Sequence, residues 1–239
     1  MTNIIENLNP NPLATEVDCI HNYPIVDTGW IIKRWFPVDL DRLQKWWKDT
    51  EEEYRDWIWS YGKHKYMWKY DPNEKTGNGF RDDTSWLMLT WGDNTVGPVP
   101  WLRYIAKPEY DTRMPRNRDV DTLGARECLK GYGLEILENM PIPPHDVQVA
   151  IHSPGTKLPA HQDGHDKFRF HIPILTNPDA RFIINGIDIH LPADGWCYLV
   201  NTTYLHSTDN QGTTDRVHIY GNIWVDDVLK LNLPSENVC

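Results

Sequence analysis

Beyond Pro144 the sequence changes character in a way that leaves few folds open. It breaks into short runs of alternating apolar residues at 146–152, 168–175, 180–186, 187–191, 195–200 and 216–224. Between them stand turn pairs: Pro154-Gly155, Asp163-Gly164, Asn185-Gly186 and Asp194-Gly195. Such pairs supply the tight reversals and positive φ angles that join neighbouring strands. Runs too short for helices, punctuated this often, predict antiparallel strands assembled into a sandwich or barrel. Asn185-Gly186 is the strongest single hairpin signal.

The part before Pro144 reads differently. Over 39–61, Leu40, Leu43, Trp46, Trp47, Tyr54, Trp57 and Ile58 recur at helical spacing between charged residues; this predicts an amphipathic helix. A second helix fits 119–140, carrying Leu123, Cys128, Leu129, Tyr132, Leu134 and Leu137 near one side, with Pro141, Pro143 and Pro144 closing it. Residues 85–91 read as a buried strand, and Pro98, Pro100, Pro108 and Pro115 mark irregular connections. Ten of the 12 Trp precede residue 102. A stacking platform for a ligand is one use of such a cluster, but Trp at helical spacing beside charges is expected to pack a core. The chain of 239 residues is thus read as one domain, 1–239, with a helical, aromatic-rich part at 1–144 and a strand-rich core at 145–228.

A formal net charge of -10 argues against phosphate backbones and anionic lipid as partners. The first residues lack a basic start and an apolar run, and no stretch approaches membrane-spanning length, so a soluble cytoplasmic protein is expected. Cys19, Cys128, Cys197 and Cys239 match no metal or redox spacing.

Chemistry concentrates in the second half. His161-Gln162-Asp163 puts an imidazole and a carboxylate two residues apart, so in extended chain both leave one face and can share an ion. A third ligand must come from a distant strand. Two histidines and one carboxylate on one side of a metal leave the other side open, which suits iron(II). Arg169 and His171 alternate with Phe168, Phe170, Ile172 and Ile174, and Arg216, His218 and Tyr220 alternate with Val217 and Ile219. Two strands with one polar face each predict a shared pocket. His206 follows the apolar run 196–200 and precedes a turn-rich stretch leading to Arg216, so both are delivered to one cavity. An arginine fork suits the distal carboxylate of a dicarboxylic acid. His165 is an alternative ligand, His152 and His218 are candidates for pocket lining, and His190, His21, His64 and His145 are read as structural.

Together the pieces at 154–163, 169–173 and 201–207, with Asn210, Gly212 and Arg216-Val217-His218, resemble the aspartyl/asparaginyl beta-hydroxylase family of 2-oxoglutarate oxygenases. The likeness spans roughly 146–224. It implies a mainly β fold with flanking helices, a double-stranded β-helix of the jelly-roll, cupin-like kind. It also implies Fe(II) on His161, Asp163 and His206, the C5 carboxylate of 2-oxoglutarate on Arg216 and His171 near its C1 end. Arg169 and His218 would contact the substrate. The implied reaction uses O2 to hydroxylate an unactivated C–H bond of an amino acid or of an aspartyl or asparaginyl residue in a peptide, releasing succinate and CO2. Asp163 argues against halogenation, which needs that coordination position for a halide. A cupin-type metal-dependent isomerase or hydrolase and a non-catalytic binding module stay open as alternatives, as does the oligomeric state.

Overall fold

The structure of the protein, a computed structural model, describes residues 4–5, 17–19, 23–56, 84–88, 130–231 and 233. Its elements run β1 (Ile4–Ile5), β2 (Val17–Cys19), β3 (Ile25–Val26), β4 (Ile32–Pro37), α1 (Leu40–Asp56), β5 (Thr84–Met88) and α2 (Gly131–Glu138). Then follow β6 (His145–His152), β7 (Lys157–His161), β8 (Lys167–Leu175), β9 (Ala180–Ile184), β10 (Ile187–Ile189), β11 (Trp196–Val200), β12 (His206–Asn210), β13 (Arg216–Trp224) and α3 (Val225–Lys230). The parts of the two expected helices at 57–61 and 119–129, and the strand expected at 89–91, lie outside the described residues.

Between β6 and β13 the chain passes back and forth between two sheets. One has the order β4-β11-β8-β13-β6-β5 and the other β10-β9-β12-β7-β2. Core strands therefore lie as β6-β13-β8-β11 against β10-β9-β12-β7, the winding of a double-stranded β-helix. Among the described residues every pairing is antiparallel except that of β2 with β7. The segment before Pro144 is woven into this core: β4 and β5 form the two edges of the larger sheet, and β2 extends the smaller one.

Local chemistry accounts for the elements that matter to the site. Asn185 and Gly186 both have positive φ, 50° and 77°, and join β9 to β10 with Ile184 opposite Ile187; two left-handed residues match the twist of a two-residue hairpin. On β8, Phe168, Phe170, Ile172 and Ile174 are wholly buried in the cluster that also holds Leu43, Trp46, Trp47, Ile136 and Leu137 of the helices. Period-two alternation then sends Arg169 and His171 to the opposite face, between the sheets. Each large apolar side chain so buried contributes about 1.5–3 kcal/mol. The Trp stripe of α1 thus packs a core, while Asp41, Arg42, Lys45, Lys48 and Asp49 stay exposed. Helix α2 lies so close that a Cβ on Gly133 would overlap the Trp46 indole. Among the described residues no helix is long and apolar enough to cross a membrane.

Candidate active site

His161 ends β7 and His206 begins β12, and antiparallel pairing sets the two opposite each other. Their ring centroids are 4.3 Å apart. Asp163 is brought back towards them by its backbone N–H, which donates to the Thr202 carbonyl at 3.1 Å, while Gln162 Nε2 donates to the Thr203 carbonyl at 2.8 Å. These two bonds tie the His161–Asp163 segment to the loop that leads into His206. One ligand atom from each of His161, Asp163 and His206 lies within 4.8 Å of the others. His206 Nε2 is 3.8 Å from Asp163 Oδ2. Its Nδ1 lies 2.9 Å from the Tyr204 carbonyl. A carbonyl only accepts, so Nδ1 carries the proton and the Nε2 lone pair faces the cluster.

Electrostatics favour a cation among these atoms. Burial, reinforced by the neighbouring His161, pushes the His206 pKa down to about 3, so the ring is neutral near pH 7. Burial works against charge on Asp163 too, but Arg169 more than offsets it and holds the carboxyl well below the usual range. Neutral imidazole and ionised carboxylate are the states in which these groups ligate a metal. The donor set of two histidines and a carboxylate fits iron(II) with positions left open. Arg169 reaches Asp163 with both prongs, Nε to Oδ2 and Nη2 to Oδ1, the latter at 2.9 Å. Its guanidinium lies 5.0 Å from the centre of the Tyr220 ring.

Arg216 opens β13 and is 4% exposed. Nη1 lies 3.3 Å from His152 Nδ1 and Nη2 lies 3.0 Å from His218 Nδ1. Among the described residues its guanidinium has no carboxylate partner. Burial lowers its pKa to about 10, which leaves it charged at neutral pH. Burial, then the Arg216 charge, holds His152 and His218 well below the ordinary imidazole value. Both therefore remain neutral beside it. The position of Arg216 is set by Asn210, whose Nδ2 donates to the carbonyls of His152 (2.7 Å) and Thr214 (2.9 Å) and whose Oδ1 accepts the Gly212 N–H (3.2 Å). A Cβ at Gly212 would overlap the Asn177 amide, so a larger residue in the turn delivering Arg216 would have to displace that side chain.

Both sheets contribute to one cavity, about 680 Å³ counting its open mouth, where His161, His206, Arg169, His171 and Arg216 meet. His171 stacks on Tyr220 at 5.7 Å, and Phe182 stacks on His206 at 5.7 Å. Neither ring nitrogen of His171 has a hydrogen-bond partner among the described residues, nor do Thr208 Oγ1 and Gln148 Oε1, all buried and all on residues lining this cavity. Buried polar atoms are rarely left unpaired, so such a group of them marks a place built for a polar ligand.

The residues singled out by the sequence separate into three groups. His161, Asp163 and His206 converge, and Arg216, His171, Arg169 and His152 surround the same cavity. His218, 1% exposed, is not among the residues lining it and meets Arg216 Nη2 through its Nδ1 at 3.0 Å. His165 is exposed, 5.8 Å from the Tyr23 ring, and is not in the triad. His190 bonds through Nδ1 with the Ala180 carbonyl at 3.1 Å, and His145 stacks on Trp224. Sequence reasoning missed Gln148 and Thr208 as cavity residues. Period two would have found both, since Gln148 shares a face with His152, and Thr208 with His206.

Residues 126–225 match the aspartyl/asparaginyl beta-hydroxylase family. The chain is also similar to a predicted oxalate decarboxylase from Thermotoga maritima, with 22% identity over 34% of this chain and 68% of that one and a TM-score of 0.30. A cupin 2 conserved barrel domain protein from Salinispora arenicola has 15% identity over 38% of this chain and 71% of that one, with a TM-score of 0.28. No curated protein matches the sequence.

Proposed function

We propose that this chain, whose residues 126–225 belong to the aspartyl/asparaginyl beta-hydroxylase family, is an iron(II)- and 2-oxoglutarate-dependent dioxygenase. It hydroxylates an unactivated C–H bond of a free amino acid or of an aspartyl or asparaginyl residue in a peptide, with release of succinate and CO2. A cytoplasmic setting, and a small-molecule or peptide substrate in preference to nucleic acid or membrane, belong to the same reading.

The observation that carries it is the buried, charged Arg216 without a carboxylate partner among the described residues, facing the cavity that holds His161 and His206. A buried guanidinium is costly unless an anion meets it. The C5 carboxylate of 2-oxoglutarate supplies that anion, and the arginine fork bonds both of its oxygens. His152 and His218, neutral beside it, hold the fork in place without compensating its charge. His171, Thr208 and Gln148 offer the remaining polar atoms for the body of the cosubstrate. Phe182 and Tyr220 form apolar wall that keeps water from the centre. Iron(II) held by His161, Asp163 and His206 supplies, with 2-oxoglutarate and O2, the oxidising chemistry that reaches an unactivated C–H bond. The side chains hold, orient and exclude water more than they exchange protons.

Purified protein given Fe(II), ascorbate and 2-oxoglutarate should form succinate slowly alone and faster with the right substrate from a panel of free amino acids, L-proline among them, and aspartyl and asparaginyl peptides. Iron-dependent succinate is the expected result. No succinate across the panel would overturn the reading in favour of a binding module. Metal-dependent turnover that ignores 2-oxoglutarate would overturn it in favour of an isomerase or hydrolase.

A further inference from the structure

We infer that Arg169 is a positioning residue for Asp163, holding that carboxylate in the orientation a metal needs, and is not a free clamp for a substrate carboxylate. The inference rests on the metal site proposed above. Asp163 sits in the connection between β7 and β8, followed by Gly164, with its backbone held by the Thr202 carbonyl and its side chain only 10% exposed. Arg169 is the third residue of β8, its backbone set by the wholly buried Phe168 and Phe170 on either side. Beneath its guanidinium lies Tyr220 of the adjacent β13. One rigid strand therefore dictates where a loop carboxylate points, through two parallel N–H donations to its two oxygens.

The edge of the guanidinium that meets Asp163 is what distinguishes the two roles. Nε and Nη2 form the edge of the fork best suited to a carboxylate, and Asp163 occupies both. A substrate carboxylate would have to displace a metal ligand's partner to use that edge. Each oxygen of Asp163, by contrast, accepts one N–H and keeps a second lone pair for a metal. Partners of this kind restrict a ligand's freedom before the ion arrives, and their removal typically weakens metal affinity by about 10–100-fold.

The test uses Co(II) as the probe, with Arg169→Lys retaining the charge but losing the fork and Arg169→Met removing both. Expected are Co(II) binding weaker by about 10-fold or more in each variant and an altered visible absorption of the Co(II) protein. At saturating Fe(II), the apparent KM for 2-oxoglutarate should stay near the wild-type value. Co(II) binding like that of the wild type, with weaker binding of L-proline or an aspartyl peptide, would overturn the inference and return Arg169 to the substrate. A wild type that binds neither Co(II) nor Fe(II) would overturn the metal site itself. Should the variants fail to fold, the Arg169 Nε–H of the wild type decides by NMR. Continued protection from exchange on loading with Zn(II) is expected, and loss of protection would show the pair does not survive ligation.

Discussion

His206 stands directly across the β7–β12 pairing from His161, although forty-five positions separate them in sequence. Pairing register, and nothing nearer in the chain, makes the two imidazoles neighbours. The triad is therefore only as well formed as that register and the loop carrying Asp163. His161→Ala, His206→Ala and Asp163→Ala should each weaken Fe(II) binding by at least about 10-fold and abolish succinate formation, since two ligands hold the ion loosely. His165→Ala and His190→Ala should leave binding unchanged, which titration with Co(II) followed by absorption checks. Loss of the metal in His165→Ala with retention in His161→Ala would refute the ligand set.

Arg216→Lys keeps a cation in the buried position but gives up the fork. The apparent KM for 2-oxoglutarate should rise by more than about 10-fold, the size of a lost charge-assisted hydrogen bond at roughly 1.5–3 kcal/mol. Metal affinity should change little. Titration of 2-oxoglutarate at fixed Fe(II) measures the constant, and an unchanged value would refute the cosubstrate assignment.

Stability of the metal-free protein should fall on mild acidification. His152, His171 and His218 all have folded-state pKa values well below the ordinary imidazole value, chiefly through burial and then the Arg216 charge. For a histidine shifted downward, the unfolded chain binds the proton first. The stability is complete above the unfolded pKa of about 6.5 and is lost as pH falls below it, at up to about 1.4 kcal/mol per pH unit for each such group. Thermal unfolding at pH 7.5 and pH 5.5 should show a marked drop in Tm, and a flat profile would contradict the buried neutral imidazoles.

Gly133→Ala should destabilise the protein although alanine favours helices. The added Cβ meets the Trp46 indole in the α1–α2 packing; overpacking costs about 1–3 kcal/mol, more than the roughly 1 kcal/mol of helix propensity gained. Urea unfolding gives the difference as a lower midpoint.

Much of this molecule was legible before any contact was known. Alternation in β8 and β13 located a polar face on each, the Asn185-Gly186 pair located a hairpin, and the two-residue spacing of His161 and Asp163 put both on one side of the chain. These are local properties: side-chain direction repeats every two residues in a strand, and turn chemistry depends on adjacent φ angles. What tertiary structure alone decided is the identity of each group's partner. It pairs His161 with His206, turns Arg169 onto Asp163, sets His218 against Arg216 and threads β2, β4 and β5 into the sheets of the core. Register between distant strands is chosen by the sum of burial over both sheets, and a shift of one residue would reverse every face. A local pattern shows which way a side chain points, but only the packed sheets determine what it meets there.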